Sequence, residues 1–229
     1  MCYFCRQELL LALASIRKRT SEGDRGSNVL MRLFIAVALP HPLQEEIERH
    51  TASLRERLGA SVMKWVPARN MHLTIKFLGE VPQTHVPPLQ EMLGSTAAEC
   101  GAFTLTIGGF GCFPGRGKPR ILWIGVEPEK ALITLRQRIE AGAAQLGYPR
   151  DHQPFSGHLT IGRVRRDLEN ADLGVLRSVV LDTEIGLIGR ATIDSMHLFR
   201  SDLQPAGPIY TSIFSAPLSP AAAFARGGS

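Results

Sequence analysis

Two short segments of the chain carry the same polar pair: His72-Leu73-Thr74-Ile75 and His158-Leu159-Thr160-Ile161. On a strand, alternate side chains share a face. Each segment therefore presents an imidazole beside a hydroxyl and turns its Leu and Ile to the opposite, apolar side. One such pair means little, since a His and a Thr two apart occur on ordinary strands. Two copies imply one site with two sides. Hydrolysis of a phosphodiester calls for that arrangement. A base takes a proton from the attacking water, and an acid protonates the leaving oxygen on the opposite side of phosphorus. Imidazole, with an ordinary pKa near 6.5, serves in either role near neutral pH. The Thr74 and Thr160 hydroxyls can donate hydrogen bonds to the non-bridging oxygens as negative charge builds there. This chemistry requires no metal, and the sequence offers no carboxylate cluster to hold one. A mononuclear zinc on the two histidines would lack an evident third ligand.

The elements that position these pairs are themselves repeated. Arg32-Leu33-Phe34-Ile35-Ala36-Val37 resembles Ile121-Leu122-Trp123-Ile124-Gly125-Val126. Phe103-Thr104-Leu105-Thr106-Ile107 resembles Ala191-Thr192-Ile193-Asp194-Ser195. With the His-x-Thr segments this makes three matches in one order at a near-constant offset, so the chain reads as two related halves. In each half an apolar strand (33–38; 121–126) leads into an amphipathic helix. The first helix starts near Pro42, carries Leu43, Ile47, Leu54 and Leu58, and stops at Gly59. The second carries Leu132, Leu135, Ile139 and Leu146 before Gly147, which suits a C-terminal cap. The His-containing strand (72–78; 158–164), a further helix (about 84–98; 168–178) and a last strand (103–110; 191–199) complete each half. The expected architecture is α+β: two pseudo-symmetric β-α-β lobes whose antiparallel sheets face each other across a central cleft, with the site in the cleft.

Composition sets the frame. Of 229 residues, 44% are hydrophobic and 21% charged, which excludes a disordered chain, a collagen-like chain and a membrane bundle. No run approaches the roughly 18 apolar residues of a membrane span. The net charge of +5 is compatible with an anionic ligand and equally with an ordinary solvated surface. Cys2 and Cys5 form a C-x-x-C without a second pair at zinc-finger spacing, and Cys100 and Cys112 read as small hydrophobes. The cysteine usage suits a reduced, cytoplasmic protein. Residues 1–30 hold the apolar run Leu9–Ile16 followed by Arg17, Lys18 and Arg19, the reverse of a secretory signal. They are expected to be a flexible N-terminal extension, with a two-lobed domain over 31–217 and a disordered tail over 218–229.

Taken with these motifs, the chain resembles the two-histidine (2H) phosphoesterases, and within them the RNA 2′,3′-cyclic phosphodiesterases, also called 2′-5′ RNA ligases. The resemblance runs from Met31 to about Pro217. It is carried by Arg32-Leu33-Phe34-Ile35-Ala36, by His72-Leu73-Thr74-Ile75-Lys76-Phe77-Leu78-Gly79-Glu80-Val81, by Pro119-Arg120-Ile121-Leu122-Trp123 and by His158-Leu159-Thr160-Ile161-Gly162-Arg163-Val164-Arg165. It implies an enzyme that opens a 2′,3′-cyclic phosphate at an RNA end and leaves a 2′-phosphate. His72 would be the proton donor to the 3′ oxygen, and His158 the acceptor that activates water. The same geometry would join a 5′-hydroxyl to the cyclic end. Relatives commonly carry Pro directly before the second His; Gly157 stands there in this chain and gives the backbone more freedom.

Other candidates divide between site and surface. Lys76 shares the face of His72 and Thr74 by alternation, so it either contacts phosphate or is solvated. Arg163, Arg165 and Arg166 either follow an RNA backbone or form a solvated strand end. Trp65 and Phe155 precede the two motifs and either stack on a base or pack in the core. His41, His50, His85, His152 and His197 read as surface or structural. The expected partner is RNA with a 2′,3′-cyclic phosphate end, without cofactor, metal or membrane, bound by a monomer. The alternatives are a cyclic phosphodiesterase acting on a nucleotide or an ADP-ribose derivative, and an RNA-end-binding module without turnover.

Overall fold

The computed structural model describes residues 29–204 and 207–220. Its strands are β1 (Leu30–Ala38), β2 (Met63–Trp65), β3 (His72–Pro82), β4 (Phe103–Phe113), β5 (Ile121–Val126), β6 (His158–Val164), β7 (Leu187–Ile193), β8 (Ser195–Gln204) and β9 (Gly207–Pro217). Its helices are α1 (His41–Val62), α2 (Val86–Ala98), α3 (Lys130–Gln145) and α4 (Asn170–Asp182). The helix ends follow the chemistry of their residues. Pro42 sits in the first turn of α1, where a missing N–H costs nothing, and Gly59 breaks the helical geometry with φ of 59°. Gly147, at φ of 89°, closes α3. The Tyr148 N–H reaches back to the Ala143 carbonyl and the Gly147 N–H to that of Ala144, the paired bonds of a Schellman cap.

The strands form two antiparallel sheets, ordered β3-β1-β8-β9 and β2-β6-β5-β4-β7. The sheets are the lobes, but the lobes are not the sequence halves. β4, from the first half, pairs with β5 in the second sheet, and β8, from the second half, pairs with β1 in the first. The expected strand 191–199 is divided at Asp194 between β7, on the edge of the second sheet, and β8, inside the first. For β4 the reason is local. Only residues 114–120 separate β4 from β5, and antiparallel neighbours joined by a short connection pair with each other. The helices also cross over: α1 packs on β7 and α4, whereas α3 packs on β3 and α2. The exchange welds the halves into one body, and a single apolar cluster runs from Leu33 and Leu73 through Leu122 and Leu159 to Leu198.

The domain's ends differ slightly from expectation. Leu30 already belongs to β1, and the Val29 carbonyl accepts from the Gln83 N–H. Leu218 and Ser219, expected in a disordered tail, are tied down. The Leu218 N–H donates to Asp194, the Ser219 N–H to Cys100, and the Ser219 carbonyl accepts from Ala102. The expectations for residues 1–28 and 221–229, with Cys2 and Cys5, lie outside the described residues. Cys100 and Cys112 are free thiols whose pKa burial raises, in keeping with a packing role.

One irregularity, present in both lobes, decides which side chains reach the cleft. In β3, Ala36 pairs with Thr74 but Ile35 with Lys76, so Ile75 is an extra residue; in β6, Trp123 pairs with Thr160 but Leu122 with Gly162, so Ile161 is extra. Each bulge inverts the alternation beyond it. Phe77 and Arg163, not Lys76 and Gly162, therefore continue the faces begun by His72–Thr74 and His158–Thr160.

Candidate active site

His72 opens β3 and His158 opens β6, and these two strands approach each other between the sheets. Each imidazole is held in the same way. His72 Nδ1 lies 2.9 Å from the Asn70 carbonyl oxygen and His158 Nδ1 lies 2.8 Å from that of Ser156, in both cases two residues upstream. A carbonyl only accepts, so the Nδ1 atoms carry the protons and donate them. Nε2 of each neutral ring is left as the basic nitrogen. Gly157, at which the family-like pattern has Pro, is restrained after all. Its carbonyl accepts from the Val126 N–H at 3.0 Å, and a Cβ there would stand 3.1 Å from that of Val126. Thr74 and Thr160 lie half-buried beside their histidines.

The walls are aromatic. The His72 ring stacks on Phe34 at 4.7 Å between centroids and meets the edge of Tyr210 at 4.9 Å, with Phe199 behind at 5.9 Å. Phe113 stands edge-on to His158 at 5.0 Å. Burial among these rings lowers the His72 pKa from 6.5 to about 4, with further lowering by the charges of Arg163 and His158. Burial and Arg163 lower that of His158 as well. Arg163 thus acts on both imidazoles, as its bulge-shifted place on the cleft face of β6 requires. Sequence reading missed Phe34, Phe113, Phe199 and Tyr210 as site residues. The alternation of β1, β4, β8 and β9 could have flagged them, but only once the strand order was known.

Other predicted residues lie elsewhere. Lys76 does not face the cleft. The bulge at Ile75 turns it onto the covered side of the sheet, where Nζ donates to Glu140 Oε2 at 2.7 Å and to the Pro149 carbonyl at 2.8 Å. Arg165 donates through Nε to the Ala60 carbonyl at 2.7 Å and lies with Lys118, Arg120 and Arg166 around a shallow basic depression. Trp65 lies under the Arg55 guanidinium against the core, and Phe155 lies under that of Arg136. A cavity of about 250 Å³ opens beside the site, bounded by Thr74, His158, Tyr148, Arg150 and Phe155. Among the surface histidines, His85 pairs with the Tyr148 hydroxyl, whereas His197 projects toward Phe199 near the site. Among the described residues no three His, Cys, Asp or Glu side chains are grouped to hold a metal, and no helix is long and apolar enough to cross a membrane.

The LigT-like phosphoesterase family matches the chain twice in tandem, over residues 37–123 and 124–210. The chain belongs to that family. The two matches reproduce the duplication read from the sequence, one His-x-Thr pair in each. Among relatives of this LigT-like phosphoesterase, the RNA 2′,3′-cyclic phosphodiesterase of Archaeoglobus fulgidus is 33% identical over 183 residues, covering 80% of this chain and 98% of the relative. That of Thermotoga maritima is 30% identical over 189 residues, covering 80% and 94%. Of solved structures, TT0787 of Thermus thermophilus superposes with a TM-score of 0.68 at 27% identity, covering 83% of this chain and 99% of that one. Escherichia coli LigT complexed with 3′-AMP gives 0.65 at 26%, with the same coverage.

Proposed function

We propose that this LigT-like phosphoesterase hydrolyses the 2′,3′-cyclic phosphate at an RNA end to a 2′-phosphate, without a metal. The observation that carries the reading is the matched pair of histidines on facing strands. Each donates Nδ1–H to the carbonyl two residues back, which makes Nε2 the basic nitrogen of the neutral ring. The relatives named RNA 2′,3′-cyclic phosphodiesterases support it. In the proposed step, His158 Nε2 takes a proton from water as the water oxygen bonds to phosphorus. The bond from phosphorus to the 3′ oxygen breaks, and His72 delivers a proton to that oxygen. The ribose is left with a 3′-hydroxyl and a 2′-phosphate, and the two imidazoles exchange protons with solvent to reset. Thr74, Thr160 and Arg163 meet the charge that grows on the non-bridging oxygens. A 5′-hydroxyl in the place of water gives the 2′-5′ ligation product by the same proton transfers.

The depressed pKa of His72 shapes this scheme. Near pH 7 the empty site holds both rings neutral, so the donor must take up its proton with the substrate. The cyclic phosphate carries one negative charge into a site where the Arg163 cation already bears on both rings. An anion beside His72 favours the imidazolium and offsets its burial. RNA binding beyond the end falls to Arg165 and its basic neighbours. The test is turnover of an oligoribonucleotide with a cyclic end, followed chromatographically. Stoichiometric binding without turnover would instead identify an RNA-end-binding module, and preference for a cyclic mononucleotide would point to a nucleotide phosphodiesterase.

A further inference from the structure

We propose that the buried Lys76–Glu140 pair is a positioning device for the second histidine: it pins the 149–156 loop to β3 and so sets where His158 stands relative to Thr74. The proposal rests on the reading above that His158 moves a proton. Lys76 Nζ spans three elements. From β3 it reaches Glu140 Oε2 on α3 at 2.7 Å and the carbonyl of Pro149, at the head of the loop, at 2.8 Å. The same Glu140 oxygen accepts from the Asp151 N–H at 3.1 Å. Arg136 extends the network, 3.8 Å from Glu140 Oε1, 3.9 Å from Asp151 Oδ2, and stacked over Phe155 at 4.9 Å. The loop is thus gripped at residues 149, 151 and 155. The next residue, Ser156, supplies the carbonyl that fixes the His158 tautomer.

Stability alone accounts poorly for such a pair. Lys76 and Glu140 side chains are only 4% and 7% exposed, and apolar residues of similar size often fill such sites at no loss of stability. What apolar residues cannot supply is two directional bonds to one loop, one from Lys76 on β3 to the Pro149 carbonyl and one from the Asp151 N–H to Glu140 on α3. The bulge at Ile75 makes the pin possible, because it turns Lys76 away from the cleft while leaving Thr74 in it. Lys76, Glu140 and Arg136 line the same cavity as Thr74, His158 and this loop.

The test compares Lys76→Met with Lys76→Met/Glu140→Leu. The single change takes the ammonium from the buried Glu140 carboxylate, leaving it the Asp151 N–H and Arg136 at 3.8 Å, and is the one at risk of misfolding; the double change removes the Lys76 and Glu140 charges together. The double variant is expected to melt cooperatively near the wild-type temperature. Its kcat on a cyclic-ended oligonucleotide should nevertheless fall about 10²-fold with KM changed less than about threefold, the pattern of a misplaced reacting group. Nitrogen NMR should show His158 divided between tautomers while His72 keeps its proton on Nδ1. Wild-type kcat in the double variant would reduce the pair to a fold support. A raised KM at constant kcat would make Lys76 a ligand contact, and an unchanged His158 tautomer would equally overturn the proposal. The nitrogen spectra are read without substrate, so they decide the positioning role even if the wild type proves inactive on cyclic-ended RNA.

Discussion

The burial of His72 makes a prediction about stability that is independent of any substrate. In the unfolded chain the ring titrates near 6.5; in the folded protein it titrates at about 4. Between these values the unfolded state holds the extra proton, so stability rises with pH and is lost as pH falls from 6.5 toward 4. A full shift of this size costs the folded state about 2 kcal/mol at pH 5 and about 3 kcal/mol at pH 4, relative to pH 8. Solvent reaching the half-buried ring makes these upper values. His72→Asn removes the titration and places an amide nitrogen where Nδ1 stood, so the hydrogen bond to the Asn70 carbonyl survives. Urea unfolding of both proteins at pH 8 and pH 5 gives the double difference, in which carboxylates common to the two cancel. The wild type should lose about 1–2 kcal/mol more than the variant over that interval. Equal losses would show that His72 titrates normally, and burial among the aromatic rings would then not disfavour its imidazolium.

Four further outcomes are expected. The kcat/KM profile should be a bell with its optimum below pH 6.5, because the free enzyme's two imidazoles are both depressed and one must be protonated while the other is neutral; an optimum above pH 7 would contradict this. His72→Ala and His158→Ala should each lower kcat by about 10²–10⁴-fold, and a substrate with a 3′-bridging sulfur should rescue His72→Ala far more than His158→Ala. Rescue of the other variant would exchange donor and acceptor. Arg163→Ala should raise the pKa of both histidines, seen in their NMR titrations; movement of neither would remove Arg163 from the cleft. Arg165→Ala should flatten the salt dependence of binding to longer RNA without changing it for a cyclic mononucleotide, and parallel slopes would return Arg165 to the solvated surface.

Much of this site is legible in the amino-acid sequence. The duplication places His72 with His158 and Thr74 with Thr160, and apolar periodicity locates β5, β6, α1 and α3 to within a few residues. What escapes is set by pairing rather than by periodicity. Alternation assigns Lys76 to the cleft because it assumes an unbroken strand, and nothing in Leu73-Thr74-Ile75-Lys76 announces the extra residue at Ile75. The same bulge logic, applied at Ile161, brings Arg163 in by a route that spacing could not supply. The exchange of β4 and β8 between sheets is hidden because each strand matches its repeat mate in sequence while pairing with the opposite half. The cage of Phe34, Phe199 and Tyr210 gathers residues from three strands around His72, so no local pattern could assemble it.

The central claim is that two imidazoles, without a metal, open a cyclic phosphate on its 3′ side. Phosphorus NMR of an oligoribonucleotide with a 2′,3′-cyclic end, incubated with the protein in excess EDTA, tests it directly. The cyclic resonance should convert to that of a 2′-phosphomonoester at the rate seen without chelator. A 3′-phosphate product, or a loss of turnover that zinc or manganese restores, would contradict the claim.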